Sequence, residues 1–97
     1  MIARLTRYQV DANRLDESIK AFKESVIPAV KSQKGYRSGY LLIDRATGRC
    51  ATIAFWDSEK DLTADEQSGQ YRKRVDTGKD RFVTPPVTEV YEVIVQD

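Results

Sequence analysis

Five side chains in this 97-residue chain combine useful chemistry with a position that could aim them inward: Arg4, Thr6, Trp56, Asp65 and Tyr71. Asp65 falls in a helical stretch poor in apolar residues. A carboxylate turned from there into an apolar cavity would have its pKa raised and could serve as a general base. Such an Asp also suits a solvated helix face. Tyr71, on the inner stripe of the same helix, could hydrogen-bond a substrate oxygen, or pack there with its hydroxyl at the rim. Asp65 and Tyr71 are therefore the candidate catalytic residues. Arg4 and Thr6 share one face of an N-terminal strand, from which an inward guanidinium could hold a phenolate. Charge that discourages edge-to-edge aggregation is the competing explanation for Arg4. Trp56 ends another strand with a core-like environment, and its indole N–H needs an acceptor, either a backbone carbonyl or a ligand. Arg4, Thr6 and Trp56 are the candidate ligand-binding residues.

Composition removes most other chemistries. With no histidine and the single cysteine Cys50, the chain holds no Ser-His-Asp set, no Cys or His pair at zinc spacing and no internal disulfide. A Gly-rich phosphate loop is absent. The acidic clusters "DANRLDE" and "DEQ" do not match a calcium loop, the first lacking the central glycine and the second being too short. They suit helix capping and a solvated face. Neither a metal nor a cofactor is expected. A net charge of +1 with both signs interspersed gives no electrostatic footprint for nucleic acid or a membrane surface. No apolar run approaches the ~20 residues of a membrane span, and "MIARLTRYQV" alternates where a signal peptide would be continuously apolar. These features predict a cytoplasmic protein.

The elements that must position the five residues follow from periodicity. Residues 2–10 alternate as a first strand, with Ile2, Arg4, Thr6, Tyr8 and Val10 on one side and Ala3 and Leu5 on the other. Asp11 or Asn13 can cap a helix whose stripe is Leu15, Ile19, Phe22, Val26 and Val30. Pro28 predicts a break or a new short helix near Ile27. Gly35 precedes a second strand over 36–44. The loop "DRATG" then leads to a third strand over 49–56, with Gly48 supplying the positive φ of a short hairpin. Ser58 and Asp61 resemble a capping box for a second helix carrying Leu62, Tyr71 and Val75, divided at Ser68-Gly69. After Pro85-Pro86, residues 87–95 read as a fourth strand.

The order β-α-β-β-α-β over residues 1–97 predicts one α+β domain, a ferredoxin-like four-stranded antiparallel sheet with both helices on one face. Both sides of that sheet carry apolar residues. Tyr36, Tyr40 and Leu42 oppose Leu41 and Ile43; Ala51, Ile53 and Phe55 oppose Ala54 and Trp56; Val90 and Ile94 oppose Tyr91, Val93 and Val95. Two helices cover only one side. Leaving four or five such side chains in water forfeits roughly 5 to 10 kcal/mol, comparable with a small domain's whole stability. Sheet-to-sheet pairing with a second copy, a homodimer, removes that cost. RNA-recognition domains share the element order, but "RCATIAFW" places Cys50, Ala51 and Ile53 where they carry a glycine and two stacking aromatics, so no nucleic-acid partner is expected.

The run "GYRSGYLLIDRATGRCATIAFWDSEKDL", followed by "SGQYRKRV" and "VYEVIV", resembles the antibiotic biosynthesis monooxygenase family of dimeric α+β-barrel proteins. The hairpin ending at Phe55 to Ser58 is its most specific part, with Ser68 and Tyr71 a weaker match. The resemblance implies a dimer and two branches of chemistry. The haem-degrading branch uses an Asn on strand one, a Trp in the second helix and a His ten residues later; the matching positions here hold Thr6, Asp65 and Val75, and no imidazole exists to ligate iron. The other branch implies a cofactor-independent monooxygenase acting on a quinol- or anthrone-type aromatic in a pocket between sheet and helices. A non-catalytic dimeric module of the same fold, binding a small molecule or acting in a stress response, is the alternative.

Overall fold

The computed structural model of the chain describes residues 1–97. Alternating residues form β1 (Ile2–Gln9), a hairpin forms β2 (Tyr36–Asp44) and β3 (Arg49–Trp56), and β4 (Val87–Glu92) completes an antiparallel sheet ordered β2-β3-β1-β4. β1 is therefore an interior strand. The edge-strand explanation for Arg4 is overturned, since both neighbours of β1 are paired and Arg4 is only 4% exposed. The hairpin closes as expected: Gly48 has φ +79°, and its N–H donates to the Asp44 carbonyl at 2.9 Å. A Cβ at Gly48 would run into the Val10 carbonyl oxygen, so no larger residue fits.

The first helical arm is α1 (Leu15–Ala21), a π-type turn over Phe22–Val26, and α2 (Ile27–Lys31). Asp11, whose carboxylate accepts from the Asn13 amide, opens it. Pro28 does not break the arm but stands at the start of the short helix α2, which begins at Ile27 as one of the two expectations had it. The π turn widens it just ahead of the proline, with the Ile27 N–H reaching back to the Phe22 carbonyl, so the ring enters without expelling a helical neighbour. The second arm divides where expected, into α3 (Glu59–Gln67) and α4 (Gln70–Gly78), with Gly69 between them at φ +82°. Ser58 caps α3, its hydroxyl accepting from the Asp61 amide at 3.2 Å. No helix is long and apolar enough to cross a membrane.

Two strand expectations change. β4 ends at Glu92 rather than Val95; only the Val93 N–H, donating to the Met1 carbonyl, continues the pairing. Tyr36 lies on the helix side, away from Tyr40 and Leu42, because a bulge between Tyr36 and Ser38 reverses the alternation. Tyr36 packs edge-on against Trp56 there, ring centroids 5.6 Å apart.

The core lies in two small clusters under the helical arms. Val10, Leu15 and Cys50 form one, joined by Tyr8, Leu41, Ile43 and Phe82. Val30, Trp56 and Leu62 form the other, joined by Ile2, Tyr36 and Ala54. A gap remains between them. The opposite side of the sheet carries Tyr40, Leu42, Val87 and Tyr91, each about half exposed, with Tyr40 edge-on to Phe55. It is not uniformly apolar, since Arg7 pairs there with Glu89.

Candidate functional site

The gap between the two core clusters is a cleft of about 120 Å³ bounded by β1, β3, the π turn and α4. Its wall is mostly apolar, with Phe22, Val26, Val75 and Phe82 contributing large side chains. β1 exposes Arg4, Thr6 and Tyr8 to it because even-numbered residues of that strand face the helices, and α4 adds Tyr71 and Arg74, three residues apart and so on one helix face.

Arg4, Asp65 and Arg74 form one buried ionic group. Asp65 is 1% exposed, and its Oδ2 accepts from Arg4 Nη2 at 3.1 Å and from Arg74 Nη2 at 2.6 Å. Arg4 Nη1 adds a longer bond to Glu66 at 3.4 Å. The guanidinium of Arg4 lies over the Tyr71 ring, 3.9 Å from its centroid, and 5.6 Å from that of Trp56. Planar cations stack in this way on π faces, which fixes the plane of Arg4 as well as its charge. The Tyr71 hydroxyl meets the Thr88 hydroxyl at 2.9 Å, and Thr6 stands 3.3 Å from Thr88 and 3.5 Å from Tyr71. Three hydroxyls thus touch one another beside the arginines. Each can donate or accept, so protons can pass along the set in either direction toward the exposed Thr88.

The five residues singled out by sequence converge on this region, in two layers. Arg4, Thr6 and Tyr71 line the cleft. Asp65 and Trp56 stand behind it: the carboxylate faces two guanidinium groups in place of the apolar surrounding expected for a base, and Trp56 is 0% exposed. Three buried polar atoms lack a partner here, Asp65 Oδ1, Arg74 Nη1 and Trp56 Nε1. Arg74 and Thr88 escaped the sequence reading. A signal for each existed, since Arg74 follows Tyr71 by three residues on one helix and Thr88 stands opposite Thr6 in the sheet register.

Two more phenols border the cleft. Burial pushes the Tyr8 hydroxyl up to about 12, helped by Cys50 and opposed by Arg81. Burial also raises Tyr36, against the pull of Arg74. Both remain neutral near pH 7 and can serve only as hydrogen-bonding hydroxyls there. No group of acidic, His or Cys side chains that could hold a metal ion is present.

A family model described as antibiotic biosynthesis monooxygenase matches residues 1–77. An uncharacterized protein of Mycobacterium tuberculosis is 38% identical over 55 residues, which are 57% of this chain and 25% of that protein, so the match spans about a quarter of the relative's length. Among solved structures, a conserved protein from Methanosarcina mazei is similar with TM-score 0.79 at 14% identity, covering 93% of this chain and 89% of that one. SnoaB, a cofactor-independent oxygenase from Streptomyces nogalater, gives 0.76 at 10%, covering 98% and 96%. The haem degrader MhuD of M. tuberculosis, with two haems in its active site, gives 0.79 at 17%, covering 100% and 99%. At these identities the likeness is one of fold.

Proposed function

The chain belongs to the antibiotic biosynthesis monooxygenase family, and on that premise we propose that it is a cofactor-independent oxygenase of an electron-rich phenolic aromatic bound in the cleft between sheet and helices. One observation carries this reading: Arg4, Thr6, Tyr71 and Arg74 converge on an otherwise apolar cleft. An aromatic ring suits the apolar wall, and its oxygen suits the polar patch.

The chemistry asks little of the protein. A phenol or anthrone that loses a proton becomes a carbanion rich enough to reduce oxygen. A methylene substrate that takes up one molecule of dioxygen gives a ketone and one molecule of water: the methylene carbon loses both hydrogens and four electrons, and dioxygen accepts them. One oxygen atom enters the substrate and the other leaves as water. In the enol form of such a substrate the hydroxyl proton passes to Tyr71 as Tyr71 passes its own to Thr88 and Thr88 passes one to a solvent water, so that no hydroxyl of the set carries a net charge. Arg4 stabilises the resulting anion from a buried position, where its charge is less screened than at the surface. Asp65 acts through the arginines, holding both guanidinium planes in place, and is a positioning residue. Trp56 backs the Arg4 plane.

The sheet face opposite the cleft we assign to a second copy of this chain. Tyr40, Leu42, Val87 and Tyr91 are 50–57% exposed on that face, a row of large side chains that a monomer leaves in water.

One observation favours a non-catalytic binding or stress-response module instead: the buried carboxylate behind the cleft is already claimed by two arginines, and no Asp or Glu lines the cleft itself. Oxygen uptake with a panel of hydroquinones and anthrones separates the two. The oxygenase reading expects uptake that falls at least tenfold in Tyr71→Phe. Uptake undiminished in both Tyr71→Phe and Asp65→Asn removes this site, and no uptake on any substrate leaves the binding module.

A further inference from the structure

Charge in the cleft is one-sided. Its only ionic lining residues are Arg4, Arg74 and Arg81; no carboxylate faces it. Asp65 and the partly exposed Glu66 both lie outside the lining, and Asp65 contributes a single oxygen shared by two arginines. Arg74 Nη1 is buried without an acceptor. Arg81 donates from Nε to the Ser18 hydroxyl at 3.1 Å and forms no ion pair. Three guanidinium groups stand against the carboxylates of Asp65 and Glu66 alone, and the net positive charge left beside the cleft is one that an incoming anion would offset. The cleft therefore offers a cationic end that the protein itself leaves incompletely satisfied, next to an apolar wall.

Size narrows the ligand further. The cleft of about 120 Å³ compares with an engineered apolar cavity of about 150 Å³ that takes up benzene, so its inner part matches one aromatic ring, and any further ring would lie at the open mouth. A ring lying against Phe22 and Val75 has hydroxyl partners at Tyr71 and a cation at Arg74, both lining the same space.

We infer that the ligand of this cleft is a single-ring phenolic carboxylate, its carboxylate received by Arg74 with Arg81 adding a second positive charge, and its hydroxyl directed to Tyr71. This rests on the cleft being the substrate site, and it names Arg74 as the residue that selects an anion.

The test is equilibrium binding under nitrogen, by calorimetry and by fluorescence of Trp56, the chain's one tryptophan. The probes are 4-hydroxybenzoate and its neutral counterpart 4-hydroxybenzyl alcohol, which differ in charge and little in shape. The carboxylate is expected to bind at least tenfold more tightly. Arg74→Gln should bring the two within threefold of each other. Equal affinities in the native chain, or a tenfold preference kept in Arg74→Gln, overturn the inference. Should Arg74→Gln not fold, as read by circular dichroism, Arg81→Gln takes its place. A preference reduced threefold or more there supports the anion site, and a full preference refutes it. The two readings also fail separately. Binding of 4-hydroxybenzoate with no oxygen uptake on any substrate removes the oxygenase and keeps the anion site; hydroquinone oxidation without any preference for the carboxylate does the reverse.

Discussion

Replacing Asp65 by Asn tests the centre of this structure, because one carboxylate oxygen there serves two buried cations. The change keeps shape and removes charge. Arg4 is 4% exposed and the Arg74 side chain 9%, so neither guanidinium can recover its hydration when Asp65 is neutralised. Breaking a buried pair in this way typically costs about 3–5 kcal/mol, whereas an exposed pair is worth about 0–1 kcal/mol. The exposed comparison is Arg37–Asp57, whose side chains are 57% and 55% exposed. Against a total stability of about 5–15 kcal/mol, Asp65→Asn should remove a large share, and Asp57→Asn almost none. At about 4–8 °C per kcal/mol for a chain of this size, a loss of about 3 kcal/mol lowers Tm by about 12–24 °C. Urea unfolding followed by Trp56 fluorescence measures it directly, since that indole is fully buried beside Arg4. A loss below about 1 kcal/mol at unchanged m-value would refute the claim that Asp65 holds the arginines. The same variant separates positioning from proton abstraction. If Asp65 acts through Arg4 and Arg74, turnover in oxygen uptake falls while the acid limb of its pH profile keeps its position; a general base would take that limb with it.

Tyr8 titrates near 12 in the folded chain against 10.0 for a free tyrosine, so the folded state holds its proton longer than the unfolded state does. The resulting stability is fully present below pH 10 and is lost as pH rises toward 12, a decline of up to about 2 kcal/mol. Tyr8→Phe should flatten that alkaline decline in urea midpoints between pH 9 and pH 12; an identical slope in the variant would show that another group causes it. For the open sheet face, sedimentation equilibrium at micromolar concentration should return twice the 11.1 kDa chain mass, and Leu42→Asp should return one chain. A native mass near 11.1 kDa contradicts the dimer.

Local physics made much of this molecule readable in advance. The Ser58 cap, the Gly48 hairpin and the division at Ser68-Gly69 each depend on a few adjacent residues, and each appears where its residues predict. The apolar character of both sheet faces also follows from strand alternation, and so does the sharing of one face by Arg4, Thr6, Ile2 and Tyr8, while the direction of that face came from the fold. Alternation failed where its period was interrupted: the bulge after Tyr36 moved that ring to the helix side. Pro28 was correctly identified as a disturbance, but whether a helix breaks or widens depends on the neighbours that hold it straight.

The partners of inward-facing residues were a different matter. Periodicity assigns a side chain to a face and says nothing of what stands across from it. Asp65 met Arg4 across 61 positions and Arg74 across nine, turning an expected base into the holder of two cations. Likewise Thr88 joined Tyr71 only because the register of β1 with β4 sets Thr6 and Thr88 opposite one another. Arg4 itself passed from a supposed edge to an interior strand once the order β2-β3-β1-β4 was known. Caps, turns and alternation are governed by neighbours along the chain, and so composition and spacing suffice for them. The charge balance of the cleft comes from segments brought together by packing, and it exists only once the helical arms have closed over the sheet.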